Sequence, residues 1–463
     1  MRTSLRPSKG LVLLILLIGL LLPRLAVRAA SELPPGRVPK ATCYHTLEGL
    51  YAEAEALVQA YPDLASLYAI GTSYEGRPLL LLDLTQRYTP PPKPFLFVVA
   101  NAHGREFITS ELALAFARTL LEGYGTNPDA TWILERQHTY ILLSLNPDGH
   151  VANESGPPWP YWRKNRHGMD SCKTTYGVDL NRNFPLGWDL LSGASVHPCS
   201  NFYRGPAPFS EPETQALGAY LSELVSSRGV LTATSGASLY ISLHAYGNGV
   251  LWPWAYTGRA APDSAALSAL GYRLAREMGY WGGQAANTLY LMSGADIDWV
   301  YGTWGLPAYT FEVGPGGYGF FPPCSAYDKI IAQALKGLML AARLASAPYA
   351  LAQGPEVTGM QLQGRQGQVV LEATLDDRLS GNQKIAGGRV LVAEFPGKGA
   401  RPLPLIPRDG RWDQPVEIVT AALPGDLPPG RYWLYVQGQD AQGAWGPLRA
   451  LRWEIAAPAS GAE

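Results

Sequence analysis

The sequence predicts an α/β domain, a twisted sheet with helices on both faces, followed by a smaller all-β sandwich. Three observations carry that expectation. Between Thr46 and Leu344, stretches that read as strands alternate with stretches of helical spacing. Two of the strand-like runs, Phe95 to Ala100 and Leu239 to Leu243, are apolar or nearly so throughout, the pattern of strands buried on both faces. Beyond Gly359 the pattern changes to short alternating runs such as Val369, Leu371, Ala373 and Leu375, separated by Gly, Pro and Asp clusters. With 463 residues, 47% of them hydrophobic, the chain is long and apolar enough for two such cores.

The elements follow in order. Arg2, Arg6 and Lys9 precede an apolar run from Leu11 to Leu22 and then Ala26-Val27-Arg28-Ala29-Ala30, the order of a secretory signal peptide over 1–29. The run is too short for the ~20 residues that span a bilayer, so no stable membrane span is expected once the signal is removed. Thr46 opens a helix whose apolar face is Leu47, Leu50, Tyr51, Ala54, Leu57, Val58 and Tyr61, and Pro62 ends it. Two strands flank Gly71 to Pro78. Asn101-Ala102-His103-Gly104-Arg105-Glu106 directly follows the strand at Phe95. A helix over Thr109 to Leu121, a strand over Thr139 to Leu145 and a helix begun by a Ser210-x-x-Glu213 capping box come next. Leu239 to Leu243 delivers His244, and Ala308 to Phe311 delivers Glu312. Both groups therefore sit at strand ends, where open α/β sheets bind ligands. After a helix over Ser325 to Leu344, a breaker-rich join leads to the sandwich. The expected domains are thus 41–346 and, after a linker over 347–358, an immunoglobulin- or fibronectin-like sandwich over 359–457.

Composition narrows the partners. The formal net charge is -1 with no basic run, which implies neither nucleic acid nor an anionic membrane surface. Cys43, Cys172, Cys199 and Cys324 make an even set without a CxxC, which in an exported chain favours two disulfides over a cysteine metal site. Three pairings are open. Cys172 with Cys199 closes the shortest non-trivial loop and leaves Cys43 with Cys324.

His103 and Glu106 stand three apart in a glycine-containing turn, so an imidazole and a carboxylate can converge on one ion. His244 supplies a third ligand, giving a two-histidine, one-carboxylate set with an open position, as catalytic zinc requires. By itself an HxxE pair is a common accident, and a single His after a strand reads as a core residue.

A wider set of motifs decides between these readings: Tyr44-His45-Thr46-Leu47, Ser73-Tyr74-Glu75-Gly76-Arg77-Pro78, His103-Gly104-Arg105-Glu106, Asn146-Pro147-Asp148-Gly149, Trp162-Arg163-Lys164, Gly177-Val178-Asp179-Leu180-Asn181-Arg182-Asn183, Ser242-Leu243-His244 and Phe311-Glu312. In this order they resemble the zinc metallocarboxypeptidases related to carboxypeptidase A, over about Tyr44 to Leu344. The C-terminal region lies outside the resemblance.

The resemblance implies a mixed sheet, one Zn2+ held by His103, Glu106 and His244, and Glu312 as the base that activates water. It implies that Arg163 stabilises the oxyanion, whereas its neighbours Lys164 and Arg166 read as solvated side chains. Asn181 and Arg182 would grip the terminal carboxylate of a peptide or protein substrate, and Tyr290 would close over its last residue. Arg105 would contact a more distant subsite or brace the loop. Leu251, Ala255, Met292, Ala295, Ile297 and Thr310 would line the pocket for the terminal side chain. Ile297 stands where relatives that cut after basic residues carry an acid, so an apolar or aromatic terminal residue is expected. Asp296 is adjacent, and a shift of one residue would reverse that expectation. Many relatives carry a prodomain, for which little sequence is seen between the signal and Tyr44, so activation by its removal is not expected. Tyr432, Trp433, Tyr435 and Trp445 read as sandwich core in preference to a binding face. Two alternatives remain open: a metallopeptidase for bacterial cell-wall stem peptides on the same fold, and a non-catalytic peptide-binding protein.

Overall fold

The computed structural model describes residues 43–87, 93–154, 161–168, 172, 175–227, 237–365, 367–395 and 398–457. The expected signal peptide lies outside these residues. None of the described helices is long and apolar enough to cross a membrane.

The first element is helix α1 (Leu47–Ala60), capped where the sequence expects it, with Thr46 Oγ1 accepting from the Gly49 amide at 3.1 Å. Strands β1 (Ala65–Thr72), β2 (Pro78–Leu84) and β3 (Phe95–Val99) follow. Helices α2 (Phe107–Gly123) and α3 (Pro128–Arg136), strand β4 (His138–Leu142) and helix α4 (Pro147–Glu154) come next. After helix α5 (Pro212–Ser227) the chain makes β5 (Leu239–His244), β6 (Gly249–Trp252), α6 (Ser264–Met278), β7 (Trp281–Gln284), α7 (Ala285–Thr288), α8 (Asp296–Trp304), β8 (Ala308–Glu312) and α9 (Cys324–Leu344). The eight strands form one mixed sheet in the order β1-β2-β4-β3-β5-β8-β6-β7. β4, β3, β5 and β8 run parallel, while β1, β2 and β6 join antiparallel. β3 and β5 are buried along their whole length, as continuous apolar runs require.

Function follows from the order. β3 continues to β4 on one side and has β5 on the other, so the chain reverses its direction of travel across the sheet between β3 and β5. Such a switch point leaves a crevice beyond the strands' carboxyl ends. His103 follows β3, and His244 ends β5.

Three local readings change. Helix α2 begins two residues before the expected Thr109. Helix α5 begins at Pro212 without the expected reciprocal capping bonds: Ser210 donates to Glu211 Oε1 at 2.6 Å, while Glu213 accepts from the Tyr74 amide at 2.9 Å and from Asn165 at 3.2 Å. The pair was committed to tertiary contacts that sequence spacing does not display. Burial lifts the Glu213 carboxyl to about 7, against the pull of its hydrogen-bond donors. The folded state therefore holds a proton that the unfolded state has lost, and stability falls as pH rises from about 4.5 towards 7. Glu213→Gln is expected to raise the melting temperature by a few degrees at pH 8 and to leave it near wild type at pH 4.5, read by scanning fluorimetry. Finally, Lys164 is buried, not solvated, because its ammonium donates to the carbonyls of Pro198 and Ser200 at 2.6 and 2.8 Å; burial lowers it to about 8.

Past the short helix α10 (Pro348–Leu351), the sandwich comprises β9 (Glu356–Arg365), β10 (Gln368–Asp376), β11 (Ile385–Glu394), β12 (Lys398–Pro404), β13 (Ile406–Pro407), β14 (Val416–Ala422), β15 (Gly430–Asp440) and β16 (Arg449–Ile455). They form two four-stranded sheets, β13-β14-β10-β9 and β12-β11-β15-β16. β9 begins inside the segment read as a linker. Tyr432 packs in the sandwich core with Leu434, Val436 and Trp453. Trp433 and Tyr435 point to the sheet's other side, where Tyr435 meets Trp132 of α3 at 5.1 Å between ring centres. They are a seat for the α/β domain. Glu356 of β9 is gripped by Arg273 of α6 at 2.7 Å and by Arg343 of α9 at 3.1 Å. Asp129 of α3 accepts from the Ala450 amide at 3.0 Å.

Candidate active site

The turn after β3 is built from a left-handed Asn101 (φ 54°), whose side chain donates to the His103 carbonyl at 2.9 Å and accepts from Ser144. Gly104 passes so close to Gly149 that a Cβ there would lie 2.3 Å from its carbonyl carbon, so no side chain fits. These constraints turn His103 and Glu106 inward at the start of α2. His244 Nδ1 lies 3.1 Å from His103 Nδ1 and 3.1 Å from Glu106 Oε2, and Glu106 Oε1 lies 2.9 Å from His103 Nδ1. All three residues are buried, and their ligand atoms lie within 4.8 Å of one another.

This donor set fits a divalent cation. Two ring nitrogens face each other across a carboxylate, an arrangement that a shared positive ion satisfies and a hydrophobic core does not. The electrostatics agree. Burial opposes the charge of Glu106, yet His103 and His244 hold it well below the usual carboxylate range. His244 is likewise opposed by burial but lifted to about 8 by Glu106, Glu312 and Asp296. For His103, burial and Arg163 prevail and favour the neutral ring.

The remaining residues surround this cluster. Glu312 pairs with His244 across β5 and β8, and burial, reinforced by the charge of Glu106, raises it to about 7 against the pull of His244 and Arg163. Arg163 makes two hydrogen bonds to Asp179 Oδ2, at 2.9 and 3.1 Å, and its guanidinium lies 5.4 Å from the ring centre of Phe202. Asp179, fully buried, also accepts from His103 Nε2 at 3.0 Å. Arg182 donates through Nε to the Gly193 carbonyl at 2.7 Å and through Nη2 to the Tyr290 hydroxyl at 3.4 Å. Asn181 Nδ2 sits 3.2 Å from His244 Nε2. Arg105 lies over the Phe320 ring at 3.9 Å, and burial lowers it to about 10.

The six residues expected around the terminal side chain are all buried, and backbone contacts bring several together: Leu251 pairs with Thr310 across β6 and β8, and the Met292 amide donates to the Ala255 carbonyl at 2.8 Å. Asp296 and Asp298 flank Ile297, but both carboxylates are engaged elsewhere. Asp296 Oδ2 accepts from Tyr240 and Ser242 at 2.9 and 2.6 Å. Asp298 accepts from the Ala255 and Tyr256 amides at 2.8 to 2.9 Å. Both disulfides take the expected pairing, Cys43–Cys324 and Cys172–Cys199.

The sequence profile of the zinc carboxypeptidases matches residues 50–337. The chain belongs to the zinc carboxypeptidase family. It is 33% identical over 294 residues to carboxypeptidase A1 of Rattus norvegicus, covering 61% of this chain and 65% of that one. It is 31% identical over 290 residues to carboxypeptidase B of Astacus astacus, covering 61% of this chain and 90% of that one. Among solved structures, thrombin-activatable fibrinolysis inhibitor superposes with a TM-score of 0.60 at 29% identity, over 65% of this chain and 74% of that one. The chain thus spans about 65% of the length of the first of these relatives, and its sandwich lies beyond the part matched by the zinc carboxypeptidase profile.

Sequence reasoning assigned no part to Asp179, Ser242 or Tyr240, and treated Asp296 only as a neighbour of Ile297. Asp179 and Ser242 lie inside the motifs that signalled the family. What hid their part is that they touch the metal cluster only through His103 and His244.

Proposed function

We propose that this chain is an exported zinc carboxypeptidase that hydrolyses the last peptide bond of peptides and proteins ending in an apolar or aromatic residue. The observation that carries the proposal is the convergence of His103, Glu106 and His244 beside Glu312, with Asn181 in contact with His244, Arg163 joined to His103 through Asp179, and Arg182 in contact with Tyr290. Export is supported by the signal-like N-terminus and by two disulfides. The catalytic unit is read as 41–346 and the sandwich as 359–457.

His103 and His244, each through Nδ1, and Glu106 would hold one zinc ion. When bound, zinc supplies a Lewis acid that acidifies water and polarises the scissile carbonyl. Glu312 takes a proton from the attacking water and returns it to the leaving amine, a shuttle suited to a carboxyl whose affinity for protons is raised. Arg163 offers its guanidinium to the oxygen that becomes negative, and Asp179 holds that side chain in place. The Arg182 guanidinium, held from behind by Gly193, and the Asn181 amide receive the substrate's terminal carboxylate. Tyr290, 42% exposed and accepting from Arg182 at 3.4 Å, stands beside that guanidinium and would close over the bound residue.

An apolar terminal side chain is favoured because Ile297, Met292, Leu251 and Ala255 are the groups available to it, while Asp296 and Asp298 are engaged by internal donors. Blocked peptides ending in Phe are expected to be cleaved at least tenfold faster, as kcat/KM, than matched peptides ending in Arg. C-terminal amides and a chelator are each expected to abolish turnover. Equal cleavage of acid and amide would remove the carboxypeptidase reading, and turnover in chelator would remove the metal.

A further inference from the structure

We infer that Asp296 is a positioning residue for His244, acting through Ser242 to fix the imidazole in the tautomer whose Nδ1 can take a metal; this rests on the ligand set proposed above. His244 presents its two ring nitrogens to different surroundings. Nδ1 faces His103 Nδ1 and Glu106 Oε2, both at 3.1 Å. Nε2 faces Ser242 Oγ and Asn181 Nδ2, both at 3.2 Å. A neutral imidazole carries one proton, and which nitrogen bears it decides whether Nδ1 has a lone pair to offer.

Taken alone, the Asn181 amide would favour the wrong answer. Its Oδ1 accepts from the Asp296 amide at 3.0 Å, which turns Nδ2 towards the ring. An N–H donor at Nε2 favours a bare Nε2, and the proton then sits on Nδ1. Asp296 and Ser242 impose the opposite. Asp296 Oδ2 lies 2.6 Å from Ser242 Oγ, and an ionised carboxylate only accepts. The single hydroxyl proton of Ser242 is thereby directed at Asp296, leaving oxygen lone pairs to receive a proton from Nε2. A short hydroxyl–carboxylate bond outweighs a neutral N–H···N contact at 3.2 Å. With Nε2 protonated, the Asn181 amide hydrogens are left for an acceptor in the cleft.

Asp296 is itself held firmly. Oδ2 also accepts from Tyr240 at 2.9 Å, and Oδ1 accepts from the Ile297 amide at 2.8 Å. His103 meets the same requirement directly, with Nε2 3.0 Å from Asp179 Oδ1. Each histidine is therefore backed by a carboxylate, one in contact and one through a hydroxyl. Asp296 also fixes Asn181 through its backbone, so one residue links metal side and substrate side.

The test uses full-length protein and zinc alone, with affinity read by competition against a chromophoric chelator. Asp296→Asn and Ser242→Ala are each expected to raise the zinc Kd about tenfold or more, the scale of outer-shell substitutions. The double variant is expected to be no weaker than the worse single variant, because both act on one relay. In zinc-free protein labelled at histidine nitrogens and held near pH 10, above the value of about 8 to which His244 is lifted, Ser242→Ala is expected to move the single His244 proton from Nε2 to Nδ1. Zinc affinity unchanged in Ser242→Ala, or losses that add in the double variant, would overturn the relay. Should Asp296→Asn fail to fold, Ser242→Ala carries the test. A His244→Ala variant that kept wild-type zinc affinity would instead overturn the ligand set.

Discussion

Glu312→Gln is expected to lower kcat on a peptide ending in free Phe by about 10²–10⁴-fold, the usual contribution of a positioned acid–base group, while zinc content and melting temperature stay near wild type. The substitution keeps the size and hydrogen-bonding reach of the side chain and removes its capacity to carry a proton. Among the described residues the Glu312 carboxylate has no hydrogen-bond partner whose loss would destabilise the fold, and the strand pairing that holds it, with His244 and Gly249, is backbone only. The pH profile carries a second signature. Water attack needs the ionised form, so activity falls as pH drops through the Glu312 value. That value is raised to about 7 by burial and Glu106, and a bound cation lowers it, so the acid limb of kcat/KM is expected below pH 7 and absent from the residual activity of the Gln variant. Retention of more than a tenth of wild-type kcat would remove Glu312 from the proton shuttle.

The other large effect concerns stability. Glu356→Ala is expected to cost about 3 kcal/mol or more, because it strands two guanidiniums in the boundary between the α/β domain and the sandwich. Arg273 and Arg343 are 6% and 4% exposed. Burial works against the charge of Glu356, but Arg343 and Arg273 hold its carboxyl below the ordinary glutamate range. A depressed carboxyl stabilises the fold above its unfolded value and loses that contribution as pH falls, so the wild type and the variant should converge towards pH 3. Urea denaturation at pH 7 and at pH 3.5 measures both claims. A loss under 1 kcal/mol at pH 7 would mean that the arginines find other partners. Arg273 already donates to the Ala352 and Gly354 carbonyls, which sets a floor to the damage without removing the uncompensated charge.

The sequence carried the site further than the fold's details. Local runs exposed the strands β3, β5 and β8 and put His103, Glu106, His244 and Glu312 at or just beyond their ends, but only the ordered set of motifs spread over some three hundred residues marked these four as a candidate site. Lys164 was misjudged because its partners, the carbonyls of Pro198 and Ser200, lie far along the chain and leave no trace beside it. The Ser210–Glu213 spacing misled for the converse reason: a local pattern matched a capping box, while Tyr74 and Asn165 claimed the Glu213 carboxylate. Trp433 and Tyr435 were readable as buried, but alternation cannot say that Tyr435 packs against Trp132 of α3 while Phe395 packs against Trp433.

The Gly193 carbonyl that braces Arg182 belongs to a segment with two further attachments. A Cβ on Gly193 would lie 1.9 Å from the Leu291 carbonyl oxygen, and Ser192 and Ser293 exchange hydrogen bonds of 2.7 and 2.9 Å. The same segment leads to Cys199 and its bridge to Cys172. The bridge is therefore one tether of the segment that meets Arg182 and the loop bearing Tyr290, whereas His103 follows β3, Glu106 opens α2 and His244 ends β5. The arginine proposed to hold a chain end is thus braced by a disulfide-tethered loop, while the residues proposed to hold the metal stand at the ends of β3 and β5, and Asp296 joins the two sides.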